Sequence, residues 1–154
     1  LNYLTMCTGQ EGLAGGQSLD LLYENRKLSR KKIIEMYTKK TAKLFEFSFA
    51  APFIITGQTS GRIKFSKKYG FIFGIVFQIM DDIIDEISSF KKIGKTPGKD
   101  QKQGKRTLLS LIGKKKAIDY CKNIVDKFIS QNNKDFSKNP ILKQLLYYNI
   151  QRLE

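Results

Sequence analysis

The run Phe77-Gln78-Ile79-Met80-Asp81-Asp82-Ile83-Ile84-Asp85 sets three carboxylates and one amide among apolar side chains. Read as a helix, it brings Asp81 and Asp85 one turn apart, with Gln78 three residues before Asp81 and four before Asp82, so the polar groups form one stripe. Carboxylates this close repel one another and lose solvation unless cations neutralise them. A set of hard oxygen donors suits Mg²⁺, which keeps several waters and takes one or two carboxylates together with substrate phosphates. Asp81, Asp82 and Asp85 are therefore candidate metal ligands. The alternative for the same stripe is an acidic cluster simply exposed to water.

Cations follow directly. From Lys91 to Lys116 the chain carries ten Lys or Arg against the single Asp100. Within that stretch, Gly94, Pro97, Gly98 and Gly104 oppose a stable helix, because Gly adds backbone entropy and Pro removes a donor and clashes. A basic loop beside a metal-binding stripe suits a polyphosphate, whose charge the metal only partly offsets. The cations of the loop from Gly94 to Thr107 are its candidate phosphate contacts. Lys40-Thr41 is a second candidate, an ammonium next to a hydroxyl, with a solvent-facing helical Lys as the alternative.

These residues need helices to hold them. Leu13 to Gly16 reads as small and flexible, with a helical pattern beginning at Gln17. Ser29 is placed as an N-cap for one long amphipathic helix running to Pro52, carrying Ile33, Ile34, Tyr37, Leu44, Phe45 and Phe49 at helical spacing. A further helix is expected around Phe65 to Ile87. Helical periodicity resumes from Thr107 to Ser130, Gln131 to Asn139 is polar, and Pro140 to Arg152 forms a short last helix. No useful strand alternation occurs, so the fold class is all-α, a helical bundle.

Composition narrows the function. The chain has 154 residues, a formal charge of +14, no His and two Cys. Its length and 41% apolar content fit one folded domain or part of one. His-based catalysis and His-ligated metals are excluded, and Cys7 and Cys121 lie too far apart for a paired-Cys zinc motif. The scattered thiols suit a reducing cytoplasm. The basic excess is 23 Lys and only 5 Arg, whereas readers of nucleic acid lean on Arg forks, so nucleic acid is not the expected partner. Leu1 to Gly16 does not have the pattern of a signal peptide. The apolar stretch Tyr69 to Met80 falls short of the ~18 residues needed to cross a bilayer, so no membrane span is expected.

Taken together, the motifs resemble those of the trans-isoprenyl (polyprenyl) diphosphate synthases through nearly the whole chain. Gly15-Gly16-Gln17 with Asp20 is similar to the family's Gly-Gly-Gln-x-x-Asp element, Lys40-Thr41 to its Lys-Thr pair, and Phe77-Gln78 with Asp81, Asp82 and Asp85 to its second aspartate-rich motif. Gly94-Lys95, Gly98, Asp100, Lys105 and Thr107 resemble its Gly-Lys-x-x-Gly-x-Asp loop, and Ile150 and Arg152 its basic tail. The pattern looks most like bacterial farnesyl or geranylgeranyl diphosphate synthases. A terpene cyclase resembles it less, lacking the Gly-Lys loop, and non-catalytic subunits of heteromeric prenyltransferases tend to lose the acidic motif that is intact here.

The resemblance implies a Mg²⁺-dependent condensation in which an allylic diphosphate loses pyrophosphate and isopentenyl diphosphate attacks the resulting cation. It assigns Lys40, Asp81 and Lys95 to catalysis, and Gln17, Lys40, Thr41, Phe77, Gln78, Lys95 and Lys105 to substrate binding. Asp81, Asp82 and Asp85 are assigned to the metal, with Asp82 and Asp20 tuning the cluster through waters. It also implies a homodimer for the full-length protein. The family's first aspartate-rich motif is absent, and the first residue is Leu. Residues 1–154 are therefore expected to be the carboxyl-terminal half of one synthase domain, inactive alone, with apolar helix faces left open to water.

Overall fold

The computed structural model describes residues 1–93 and 107–152, with side chains described for 1–88 and 107–152. Among the described residues the structure is helical, without strands: α1 (Asn2–Thr8), α2 (Leu13–Leu22), α3 (Arg30–Tyr37), a π-helical turn (Thr38–Ala42), α4 (Lys43–Ile55), α5 (Ser60–Ile93), α6 (Leu108–Ile112), α7 (Lys114–Gln131), α8 (Asn133–Lys138) and α9 (Pro140–Gln151). The all-α expectation holds. Lys95 and Lys105, together with the rest of the basic stretch at 94–106, lie outside the described residues.

The axis of the fold is α5, 34 residues long and thus about 50 Å at 1.5 Å per residue. It buries Tyr69, Ile72, Ile75, Val76, Ile79, Met80 and Ile83. Against one side runs α4, and two glycines make the approach close: a Cβ on Gly70 would stand 2.5 Å from the Phe45 carbonyl oxygen, and one on Gly74 2.6 Å from the Ala42 Cα. Rings of Phe45, Phe49, Phe73 and Phe77 fill the space beside this seam, with centroids 5.1–6.4 Å apart, within the range that aromatic pairs favour. On the other side α7 presents Ala117, Cys121, Val125, Phe128 and Ile129. Two polar ties fix α9 across α5: Tyr69 Oη donates to the Leu142 carbonyl at 2.9 Å, and Asn149 Nδ2 to the Phe73 carbonyl at 3.0 Å. Both cysteines are buried and free.

Several boundaries differ from the sequence expectation, each for a local reason. The region 13–16 is helical, because Gly15 and Gly16 let α2 lie against neighbouring backbone that any larger residue would strike. Pro52 lies inside α4 and does not end it. Pro52 and Ser48, the residue whose carbonyl loses its helical donor, are both exposed, and Thr56 N–H donates to the Pro52 carbonyl at 3.1 Å. The expected long helix after Thr107 is two helices, broken where Gly113 takes a φ of 82° that side chains resist. Within the polar stretch 131–139, α8 forms around the buried Phe136. Ser29 does cap α3, accepting from Lys32 N–H.

Candidate active site

Four segments meet around the middle of α5. The first is α2, whose Gly16 lies so near the π-helical turn that a Cβ there would stand 2.1 Å from Lys40 N. On the next turn of α2, Asp20 accepts from Lys40 Nζ at 2.5 Å. This pair is partly buried, the side chains being 28% and 19% exposed, which distinguishes it from the adjacent Lys39–Glu11 pair, where Glu11 is 72% exposed.

The π-helical turn is the second segment. A turn of i→i+5 bonds widens the helix by one residue and re-aims the side chains after it, a device frequent at functional sites. It turns Thr41 onto α5, where its hydroxyl donates to Gln78 Oε1 at 2.5 Å. Gln78 Nε2 in turn donates to Asp82 Oδ1 at 3.1 Å, one turn further along α5.

Asp82 is the centre of the arrangement. Its second oxygen, Oδ2, accepts from the hydroxyl of Tyr37, the last residue of α3. The same hydroxyl accepts the Leu108 N–H at 2.9 Å, the first backbone donor of α6. Burial raises the Asp82 carboxyl to about 6, against the downward pull of the Tyr37 and Gln78 hydrogen bonds and the Lys40 charge, while the Asp81 charge adds to the rise. The Tyr37 hydroxyl is pushed well above its usual range, first by burial and then by the Asp82 charge. The first follows from taking a carboxylate out of water, the second from burying the phenol itself and then from the charge beside it.

Asp81 and Asp85 are differently placed. Asp81 is 46% exposed and pairs at 3.4 Å with Arg152, just past the end of α9. That guanidinium also donates to the Phe77 carbonyl at 3.0 Å and lies 4.1 Å from the centre of the Phe77 ring. Asp85 is exposed one turn beyond Asp81. Gln17 is exposed on α2, one turn before Asp20. Sequence reasoning thus named Lys40, Thr41, Gln78, Asp81, Asp82 and Arg152 among residues that the structure brings together, whereas it took Tyr37 for a core residue only. The signal for Tyr37 was its position, three residues before Lys40.

Among the described residues no three of the Asp, Glu and Cys side chains converge on one point in the manner of a complete metal cage. What the site offers is hard oxygen on one helical face, with Asp81 and Asp85 outward and Asp82 already holding two hydrogen-bond donors. That donor set fits Mg²⁺, which is satisfied by one or two carboxylates when phosphate oxygens and waters supply the rest.

Residues 4–146 match the family model described as Polyprenyl synthetase. The chain is 33% identical over 147 residues to the farnesyl diphosphate synthase of Bacillus subtilis, an alignment covering 96% of this chain and 48% of the relative. Among solved structures, an FPP/GFPP synthase from Zymomonas mobilis in its apo form superposes with a TM-score of 0.76 at 28% identity, over 96% of this chain and 49% of that one. A geranyltransferase from Helicobacter pylori, complexed with magnesium and isoprenyl diphosphate, gives 0.76 at 25% identity over 99% and 50%. The chain spans about half the length of the relatives it matches.

Proposed function

Since the chain belongs to the polyprenyl synthetase family, we propose that it is the carboxyl-terminal half of a synthase of the farnesyl or geranylgeranyl type, carrying the half of the site that holds a diphosphate through Mg²⁺. The observation behind this reading is the division of labour on α5. Asp82 faces inward and is tied by Tyr37 and Gln78, while Asp81 and Asp85 face outward. The whole enzyme would join an allylic diphosphate to isopentenyl diphosphate. The allylic carbon–oxygen bond breaks, the isopentenyl double bond attacks the cation, and a proton is lost to the departing pyrophosphate.

Each residue has a physical part in that reaction. Asp81 and Asp85 would hold Mg²⁺, with Asp82 fixing the helix face from which they project; the bound ion supplies charge neutralisation to the leaving diphosphate. Lys40, Lys95 and Lys105 would take up the rest of the charge that develops as the bond breaks. Asp20 aims Lys40, and Thr41 and Gln78 orient Asp82. Phe77 and the rings packed around it would keep water from the cation. Gln17, exposed on α2, would reach the substrate from the same side. The residues that bind isopentenyl diphosphate and the first aspartate-rich motif belong to the other half, so this chain alone would not transfer prenyl groups, and a dimer would form in the complete protein.

Calorimetric titration with inorganic pyrophosphate, with and without Mg²⁺, tests the reading. Binding should require Mg²⁺ and vanish in the double variant D81A/D85A. Binding that ignores both the metal and the two carboxylates would identify a generic basic surface instead, and so would a steep fall with salt alone.

A further inference from the structure

A cavity of about 580 Å³ lies between the start of α5, the end of α7 and the start of α8. Its volume falls within the roughly 300–1,000 Å³ of small-ligand sites. Phe65 in its wall precedes Asp82 on α5 by about 25 Å at 1.5 Å per residue. Arg62, Lys64 and Lys68 line the cavity against the single carboxylate of Asp135, three cations against one anion, which leaves two positive charges in excess. Among the described residues none of the three cations forms a salt bridge. Arg62 Nη1 donates to Gln58 Oε1 at 2.7 Å, and Lys68 Nζ lies 5.1 Å from the centre of the Phe71 ring. Beside these cations Phe65 is half-buried. It stacks on Phe128 with centroids 5.7 Å apart and 22° between the planes, and Phe136 meets it edge-on. The end of α7 adds the side-chain amides of Gln131 and Asn132. Asn132 Nδ2 donates to the Phe128 carbonyl at 2.8 Å, which leaves its oxygen as an acceptor.

We infer that this cavity binds a phosphate monoester carried on a flat nitrogen heterocycle, the chemistry of a nucleoside monophosphate. Such a phosphate carries about 1.5 to 2 negative charges at pH 7, which matches the excess on the wall, and its hydrogen bonds to Arg and Lys are of the strong, charge-assisted kind. A ring laid on the open side of Phe65 extends the existing stack in the offset arrangement that aromatic pairs favour. Its nitrogens meet the two amides. An alkyl chain in the same place would cover those amides and leave them unpaired, which is costly, so the cavity favours a heterocycle over an aliphatic tail. The site is separate from the aspartate stripe, and the inference does not rest on the diphosphate reading.

Calorimetric titration in EDTA, with AMP, GMP, CMP and UMP as probes, tests the inference. At least one nucleotide should bind one-to-one, about tenfold tighter than its nucleoside, inorganic phosphate or geranyl monophosphate, as the loss of one charge-assisted bond or one stack predicts. Gly61→Leu blocks the cavity. Gly61 lines it, a Cβ there meets nothing within 4 Å, and Leu favours a helix more than Gly does. G61L should keep its melting temperature and bind the nucleotide about tenfold more weakly, and K64Q/K68Q should weaken it by a similar factor. D81A/D85A should leave it unchanged. Nuclear Overhauser effects from the base protons to the Phe65 ring should place the ligand in the unmodified chain. Inorganic phosphate binding as tightly as the nucleotides would identify an unselective cationic surface, and geranyl monophosphate binding as tightly would identify a site for an apolar tail. Loss in D81A/D85A would put the nucleotide at the aspartate stripe. Each of these outcomes overturns the inference, as does binding untouched by G61L or the absence of binding by all four nucleotides.

Discussion

The Cα of Gly16 faces the backbone nitrogen of Lys40 so closely that a methyl group on it would stand 2.1 Å away. The obstacle is main chain, which cannot swing aside as a flexible side chain would. Gly16→Ala should therefore push α2 off the π-helical turn at a cost of about 1–3 kcal/mol, and move Asp20 away from Lys40. A urea titration checks the first effect and pyrophosphate binding the second. Alanine at Gly61, where a Cβ meets nothing within 4 Å, should cost nothing of the kind.

Lys40 and Lys39 are adjacent yet should behave differently. Lys40→Ala leaves Asp20 partly buried without its counter-ion and should both lower the melting temperature and weaken pyrophosphate binding by about tenfold, as loss of a charge-assisted contact does. Lys39→Ala breaks a pair whose acidic partner is largely in water, and exposed pairs contribute little. Thermal melts and titrations of the two variants side by side provide the comparison.

The raised Asp82 carboxyl gives a signed pH dependence. Its folded value of about 6 lies above the ordinary 3.8, so between these values the folded chain binds the proton that the unfolded chain has released. Stability from this group is then fullest below pH 4 and falls as the pH rises towards 6. Asp82→Asn cannot titrate. The stability difference, unmodified chain minus D82N, should accordingly shrink between pH 4 and pH 7 in urea titrations, and a difference that grows would contradict the assignment.

Arg152 holds Asp81 and the Phe77 carbonyl and lies against the Phe77 ring. Arg152→Gln should destabilise the chain by about 1–2 kcal/mol through lost hydrogen bonding and cation–π contact. It should also strengthen binding of Mg²⁺ alone, because Asp81 no longer has a resident cation to displace. Calorimetric titration with MgCl₂ at fixed ionic strength measures the change.

Much of the fold could be read from periodicity. Apolar spacing in α5 and α7, the Ser29 cap and the last helix at Pro140 are local signals, and each appears where local physics places it. The boundaries that shifted depend on something further away in space: Gly16 is helical because Lys40 passes beside it, and Pro52 is tolerated because its side of α4 faces water. The site divides in the same way. Asp81, Asp82, Asp85 and Gln78 lie on one short stretch and their common face follows from helical spacing. Tyr37 is 45 residues from Asp82 and 71 from Leu108, and no local pattern distinguishes a tyrosine that only packs from one whose hydroxyl joins two distant elements. Which of the three carboxylates turns inward was likewise decided by tertiary contacts.

The wide turn at Thr38–Ala42 carries a consequence for how this segment tolerates change in length. A regular helix rotates by about 100° per residue, and the π-helical turn absorbs one residue more than a regular turn does. Deleting one residue from this segment would let the backbone return to ordinary winding with the flanking helices nearly in their present phase, whereas inserting a further residue between Thr38 and Thr41 would rotate everything on one side by that angle relative to the other. Tyr37 grips Asp82 and Thr41 grips Gln78 from either side of that point, so such an insertion could keep one grip only by releasing the other. Substitutions in this segment act one contact at a time, whereas an added residue acts as a change of phase.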